Sequence, residues 1–443
     1  MSEIPFAARP ESGRLRQTLF IATLLGSALP SVAHAQDSAG VIAELRQEIA
    51  ALRAEQAKSN QRIGELEAAR AQTAAIVPAP AQTAQPAAPQ LAAVPSSHPA
   101  AAATPSRLTL SGDLRVRYES NFGDNDAPDR NRAVVRARLR TAFAVNKWLT
   151  VGGQLATGDP NDPNTTDITL SGFDNKLQAS LDQAFIRAKF GHLQIDVGRI
   201  AQPFTRTELV WDGDVSPEGI SAAYTAPLGG GATLKATGMY FVIDENSAGP
   251  DSQMIGGQIG LDYAPNGQFK LELAAAYYDY TLKSLAGGDA GDFRSNLFAG
   301  GRYLSDFNLL DVIAAVNWNG LGAKWPVRIV GDYVHNFGAI NSEDSGFGID
   351  LIVGRTARPH DWRFTYGYAQ AETDAVLAAF SHDNTNIATN YLQHTFAVDY
   401  TVTPNLIFNA TLYHYRPKNP LYAGSNQARD WLNRMRLNAL VTF

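Results

Sequence analysis

The sequence predicts an all-β membrane protein, an antiparallel transmembrane β-barrel of about 16 strands preceded by a short α-helical coiled coil. Three observations carry this. From Arg107 to the C-terminus, apolar residues recur with a period of two, in runs of roughly 10 to 14 residues. That length suits a tilted membrane-crossing strand and is about twice that of an ordinary one. No stretch after Ala35 offers the roughly 18 consecutive apolar residues that a membrane helix needs. The last run ends on an aromatic residue, with Met435, Leu437, Ala439, Val441 and Phe443 on one face and Arg434, Arg436, Asn438 and Thr442 on the other.

Residues 1–35 have the order of a secretory leader. Arg9, Arg14 and Arg16 supply the positive start, Leu19 to Leu29 the apolar stretch, and Ala33-His34-Ala35 the small-residue cleavage pattern. The mature chain is expected to begin at Gln36. A buried N-terminal helix is the other reading, and it leaves the order of the three features unexplained. Residues 36–72 turn to Ala, Glu, Arg, Gln and Leu. Ile42, Leu45, Ile49, Leu52, Gln56, Ser59, Ile63 and Leu66 are spaced alternately by three and four, the seam of a coiled coil. A helix of that length is marginal alone, so partner chains are expected. The polar layer at Gln56 and Ser59 would fix register at a cost in stability. The alternative is an amphipathic helix lying on another surface. Residues 73–106, with Pro78, Pro80, Pro86, Pro89, Pro95, Pro99 and Pro105, cannot bury a core and read as an extended linker.

The barrel region is 107–443. Its first strand places Leu108, Leu110, Gly112, Leu114, Val116 and Tyr118 on one face, against Asp113, Arg115, Arg117 and Glu119. The second places Ala133, Val135, Ala137, Leu139, Thr141, Phe143 and Val145 against Arg132, Arg136, Arg138 and Arg140. A soluble sandwich alternates in the same way, so strand length decides. Further runs lie at 148–158, 180–190, 193–199, 219–226, 232–243, 253–264, 268–281, 308–318, 325–337, 346–357, 361–373, 391–402, 405–416 and 430–443. Short turns, such as Asn146-Lys147, Gly191-His192 and Thr403-Pro404-Asn405, alternate with long polar loops. Counting 294–304 as a strand makes the number odd and breaks that alternation. Reading 282–307 as one long loop restores it.

The formal net charge of −6 gives no support to nucleic-acid binding. Cysteine is absent, which excludes disulfides, thiolate metal sites, a cysteine nucleophile and a lipid anchor on cysteine. There is no G-x-S-x-G, H-E-x-x-H or phosphate-binding loop, so no catalytic residues and no cofactor are expected. His394 and His414 fit an interfacial belt. Asp159, Asp162 and Asp167 are hard oxygen donors that could ligate Ca²⁺, but an acidic surface loop accounts for them as well.

An arginine facing hydrocarbon at mid-bilayer costs about 2–4 kcal/mol. Arg115, Arg117, Arg136, Arg138 and Arg140 are therefore expected on the inner face, as a basic ladder on adjacent strands. They either set the field of a pore or neutralise inner acids such as Asp113 and Glu119. The third long loop, 200–219, carries Glu208, Asp212, Asp214 and Glu218, with Phe204 and Trp211 to pack it against a wall.

The runs Ser111–Glu119, Ala156–Thr166 and Arg206–Gly219, and Asn319–Gly322 through Gly331–Asn336, resemble the "putative porin" family of Gram-negative outer-membrane barrels. The leader and helical prefix are similar to those of porins with an N-terminal periplasmic coiled coil. The terminal Phe443 resembles the assembly signal read by the barrel-assembly machinery. The resemblance implies a pore in the outer membrane, with the N-terminal segment in the periplasm and passive diffusion of small hydrophilic solutes and ions. In general porins the third loop folds inward, so Glu208, Asp212, Asp214 and Glu218 are expected opposite the arginine ladder, as a charged constriction. A homotrimer is expected in the bilayer. The alternative is a structural envelope anchor, whose coiled coil spaces the membrane from the cell wall through contact with it. An outer-membrane hydrolase would need a Ser–His pair on neighbouring strands.

Overall fold

A computed structural model describes residues 107–123, 129–170, 176–285, 294–423 and 429–443. The expected leader, coiled coil and linker lie outside the described residues. The barrel strands are β1 Leu108–Gly123, β2 Arg130–Ala144, β3 Leu149–Thr157, β4 Ala179–Phe190, β5 Leu193–Arg199, β6 Glu218–Gly229, β7 Ala232–Asp244 and β8 Ser252–Asn266. They continue as β9 Phe269–Thr281, β10 Asn308–Trp318, β11 Val327–Asn336, β12 Ser345–Gly354, β13 Trp362–Ala371, β14 Tyr391–Thr403, β15 Leu406–Pro417 and β16 Leu432–Thr442.

Each strand pairs antiparallel with its neighbours in sequence. The seam closes between β1 and β16, from Asp113↔Thr442 to Gly123↔Leu432. The sixteen-strand reading holds. Among its described residues, the 282–307 segment contributes only a small hairpin, Phe298–Ala299 against Arg302–Tyr303, which stays out of the barrel wall. A short piece, Ile168–Thr169, pairs with β2 at Val134 and Val135.

The wall follows from the period of two. Leu108, Leu110, Leu114, Val116 and Tyr118 are exposed on the outside of β1, whereas Asp113, Arg117 and Glu119 are buried on its inside. Closure leaves no unpaired sheet edge, which lipid could not solvate. Near the short-turn end Phe143, Trp148, Phe190, Tyr263, Phe269, Trp318 and Trp362 stand outward. Tyr240, Tyr277, Tyr333 and Phe347 do so toward the other end. Two aromatic girdles flanking an apolar band are the signature of a membrane barrel.

Three glycines shape the molecule. The ring of Phe443 lies over Gly112, where an added Cβ would sit 2.5 Å from it. Gly112 and Phe443 also exchange backbone hydrogen bonds of 2.8 and 3.0 Å, which extend the closing seam to the last residue. Gly198 and Gly219 face each other across β5 and β6 with φ of +118° and +148°. That backbone strains any residue with a Cβ. At Gly219 a Cβ would come 2.1 Å from the Tyr240 carbonyl oxygen. This kinked pair is the doorway through which residues 200–217 leave the wall.

Candidate functional site in the barrel lumen

Residues 200–217 do not stand in solvent. Ile200, Phe204, Leu209, Val210, Trp211 and Val215 are buried in one apolar cluster. Their neighbours there are inward side chains of the wall, among them Met239 and Phe241 of β7, Met254 of β8, Tyr278 and Tyr280 of β9, and Leu309 of β10. The loop is therefore folded into the lumen. Trp211 is the anchor. It is fully buried, stacks on Phe380 at 5.8 Å with 13° between the rings, and meets Tyr278 edge-on at 5.5 Å.

Phe380 belongs to a second inward loop, 372–390. Ala375, Val376, Leu377, Ala378 and Phe380 are all buried. A signal was present: the run Ala375–Phe380 is too apolar for an outer loop in water. Its backbone is clamped from the 294–307 segment. The Asn296 amide donates to the Thr373 and Val376 carbonyls at 2.8 and 2.9 Å, and its oxygen accepts from Ala378 N at 2.7 Å. Asp374 accepts from Ser305 Oγ at 2.6 Å. The two inward loops are joined where Asp212 N donates to the Phe380 carbonyl at 2.8 Å.

The five ladder arginines do share the inner face of β1 and β2, and each is paired. Asp113 is surrounded by Arg136, Arg138 and Arg140 at 3.0, 2.9 and 3.1 Å. Asp167, from the second long loop, bridges Arg115 and Arg117, the latter at 2.6 Å. Burial works against the Asp167 carboxylate, but Arg117 and Arg115 outweigh it and hold it below the usual carboxylate range. The ladder extends beyond the expected residues. Glu119 is enclosed by Arg132 at 2.5 Å, Arg436 at 2.8 Å and Arg434 at 3.6 Å, which joins β16 to the basic wall. The guanidiniums of Arg115, Arg117, Arg132, Arg136, Arg138, Arg140, Arg434 and Arg436 outnumber the carboxylates of Asp113, Glu119, Asp167 and Asp214. The wall keeps a positive excess.

Of the four loop acids, Asp214 touches this ladder, through Arg138 Nη1 at 2.8 Å, and accepts from Thr166 Oγ1 at 2.9 Å. It fastens the third loop to the second loop and to β2. Glu218 turns instead to Arg199 at 2.6 Å. Glu208 is half exposed to the lumen and pairs with Arg206 at 3.2 Å. Asp212 is buried, and burial together with the neighbouring Glu208 pushes its carboxyl up to about 10. It is uncharged at neutral pH.

Across the lumen the wall presents inward carboxyls. Asp311 on β10, Asp332 on β11 and Asp350 on β12 point inward, and none has a salt-bridge partner among the described residues. The sequence carried a signal for them as single carboxylates inside the apolar runs 309–316, 329–334 and 347–353. Two of the three candidate calcium ligands are dispersed: Asp162 pairs with Arg294 at 2.6 Å and Asp167 with the ladder. A Ser–His pair on neighbouring strands does exist, Ser345 and His335 at 3.1 Å. Asp344 approaches the same ring nitrogen at 3.3 Å and accepts the Ser345 hydroxyl at 2.6 Å. Serine and carboxylate on one nitrogen cannot form a proton relay, which needs both nitrogens of the ring. His394 and His414 stand on the outer wall, where His414 stacks on Trp431 at 4.2 Å.

The fold is thus a closed sixteen-strand barrel, apolar outside and charged inside, with a loop packed in its lumen. Residues 123–287 match the model of the family described as "Putative porin". Among solved structures, OprB of Pseudomonas putida at high pH aligns over 76% of this chain and 94% of its own, with 14% identity and a TM-score of 0.53. That likeness is one of fold. An anion-selective porin from Comamonas acidovorans aligns over 76% of this chain and 99% of its own, at 12% identity and a TM-score of 0.48. A loop-deletion mutant of OmpT from Vibrio cholerae aligns over 76% and 100%, at 11% identity and a TM-score of 0.46. A search of curated proteins gives no match.

Proposed function

We propose that this chain is an outer-membrane porin that passes small hydrophilic solutes and ions by diffusion through a charged constriction. The observation that carries the reading is the third loop held inside a closed barrel between a wall of arginines and one of inward carboxyls. The constriction is set by Arg115, Arg117, Arg136, Arg138 and Arg140 on one side, with Asp214 bound into that ladder, and by Glu208 and the inward aspartates on the other. Asp212 adds charge only at high pH, and Glu218 acts at the margin. Selectivity then comes from pore width and the field of these rings.

The N-terminal 35 residues are a leader. Residues 36–72 form a periplasmic coiled coil that matches a trimer of barrels, and 73–106 are its linker. Phe443 is read by the barrel-assembly machinery. Reversal potentials in a salt gradient test the field. Arg136→Ala/Arg138→Ala should shift permeability toward cations, most strongly at low salt, where screening is weakest.

A second reading is a structural envelope anchor, held to the cell wall through its helical prefix. The two inward loops favour it, because both pack on inward wall residues and are joined to each other at Asp212 and Phe380. Such a barrel carries no current when reconstituted, whereas a porin does.

A further inference from the structure

The lumen holds a cavity between the tip of the third loop and β11 to β14. Glu208, Asp332, Asp350 and Gln393 are among its lining residues, and no lysine or arginine is. Its floor is made by glycines. At Gly367 an added Cβ would lie 2.3 Å from Asp350 Oδ1, so the carboxylate keeps its place only because that side chain is missing.

Two of the polar groups here are more than nine-tenths buried and incompletely satisfied. Asp332 accepts from the Thr207 hydroxyl through one oxygen; its Oδ1 has no N–H or hydroxyl donor, and its carboxyl neighbours that of Asp311. Gln393 donates its amide to Thr395 Oγ1 at 3.1 Å, and its Oε1 has no partner. Asp350 makes no salt bridge among the described residues. Arg436 of the basic wall is already engaged: it donates to Asn384 Oδ1 at 2.9 Å, on the cavity's rim, and to Glu119. A buried acceptor without a donor costs free energy, and a buried carboxylate without a cation costs more. What the cavity lacks is a compact cation that carries several N–H donors.

We propose that this cavity is a subsite for the ammonium group of a permeating solute, held by Asp350, Asp332 and Gln393. The inference rests on the reading of the chain as an open pore. Solutes with a primary ammonium would pause here, beside the β16 end of the arginine wall, where Arg436 lies over Tyr413 at 5.4 Å. A carboxylate group on the same solute would be drawn to that wall.

The test uses the full-length protein in planar bilayers and, in parallel, in detergent for calorimetry. The probe is 1,4-diaminobutane, and the control is succinate, of the same chain length and opposite charge. The wild type should show current interruptions and a saturable binding heat with the diamine. Asp350→Asn should weaken both roughly tenfold, the scale of a hydrogen bond to a charged group. Gln393→Leu is the second variant, should the first fail to assemble, and it should weaken binding in the same direction. A conducting channel that gives neither interruption nor heat with the diamine overturns the subsite. So does diamine binding that is indifferent to both substitutions. Failure of the pore reading looks different: no conductance at all, with the calorimetric comparison of wild type and variants still deciding the cavity.

Discussion

Replacing Trp211 by alanine should open the lumen without unfolding the barrel. The indole is fully buried between Phe380 and Tyr278, so truncation removes the largest single anchor of the third loop. Loss of a buried tryptophan costs about 3–5 kcal/mol. Trp211 belongs to no barrel strand, so the cost falls on the docking of the loop. At about 1.4 kcal/mol per factor of ten, the ratio of docked to released loop should fall by roughly two to three and a half orders of magnitude. The assay is single-channel recording of the full-length protein. The variant should show a larger open conductance, with added flicker as the loop leaves and returns. Phe380→Ala should act in the same direction with a smaller effect, and the two should be less than additive because they remove one contact. Unchanged conductance in Trp211→Ala, with the barrel intact, would refute the claim that this loop narrows the pore.

Other outcomes follow from single contacts. Asp214→Asn breaks the link to Arg138 and should shift the reversal potential toward anions at pH 7, whereas Asp212→Asn should leave it nearly unchanged. Burial, and then Glu208, raise the Asp212 carboxyl to about 10, so its contribution to docking is complete below its ordinary value of 3.8 and is lost as the pH rises toward about 10. Between pH 7 and about 10.5 the wild type should therefore gain cation preference, and Asp212→Asn should not, as read by reversal potentials. Deleting Phe443, or substituting Gly112→Leu beneath its ring, should leave the chain unassembled and degraded in the periplasm; normal insertion of either would contradict the account of the seam. Gly219→Ala should displace the third loop, with a conductance change like that of Trp211→Ala. The 36–72 segment should sediment as a parallel trimer, and Ile49→Asp/Leu52→Asp should abolish its helicity.

The barrel was legible because closure, membrane thickness and the period of two all constrain the same residues. Sixteen runs could be read directly, and parity excluded 294–304 as a wall strand. The inner face of β1 and β2 was legible for the same reason, since arginines cannot face lipid. Who pairs with whom was not. Asp113 lies among three arginines because β1 and β2 run in register, and Asp167 arrives from a loop with no periodicity to place it. Trp211 could be named as a packing residue, but its partner Phe380 lies far along the chain in a loop whose apolar run went unread. The aspartates at 311, 332 and 350 were visible as interruptions of apolar strands. The cavity that Asp332 and Asp350 share depends on three-dimensional neighbours, Gly367 and Gln393, that no local pattern reveals.

The most direct test of the central claim is the current carried by the purified full-length protein in a planar bilayer under a salt gradient. The account predicts discrete conductance steps whose reversal potential moves toward cations in Arg136→Ala/Arg138→Ala and toward anions in Asp214→Asn. A correctly assembled barrel that carries no current, or a reversal potential indifferent to both sets of substitutions at 0.1 M salt, where the Debye length is about 10 Å, would contradict it.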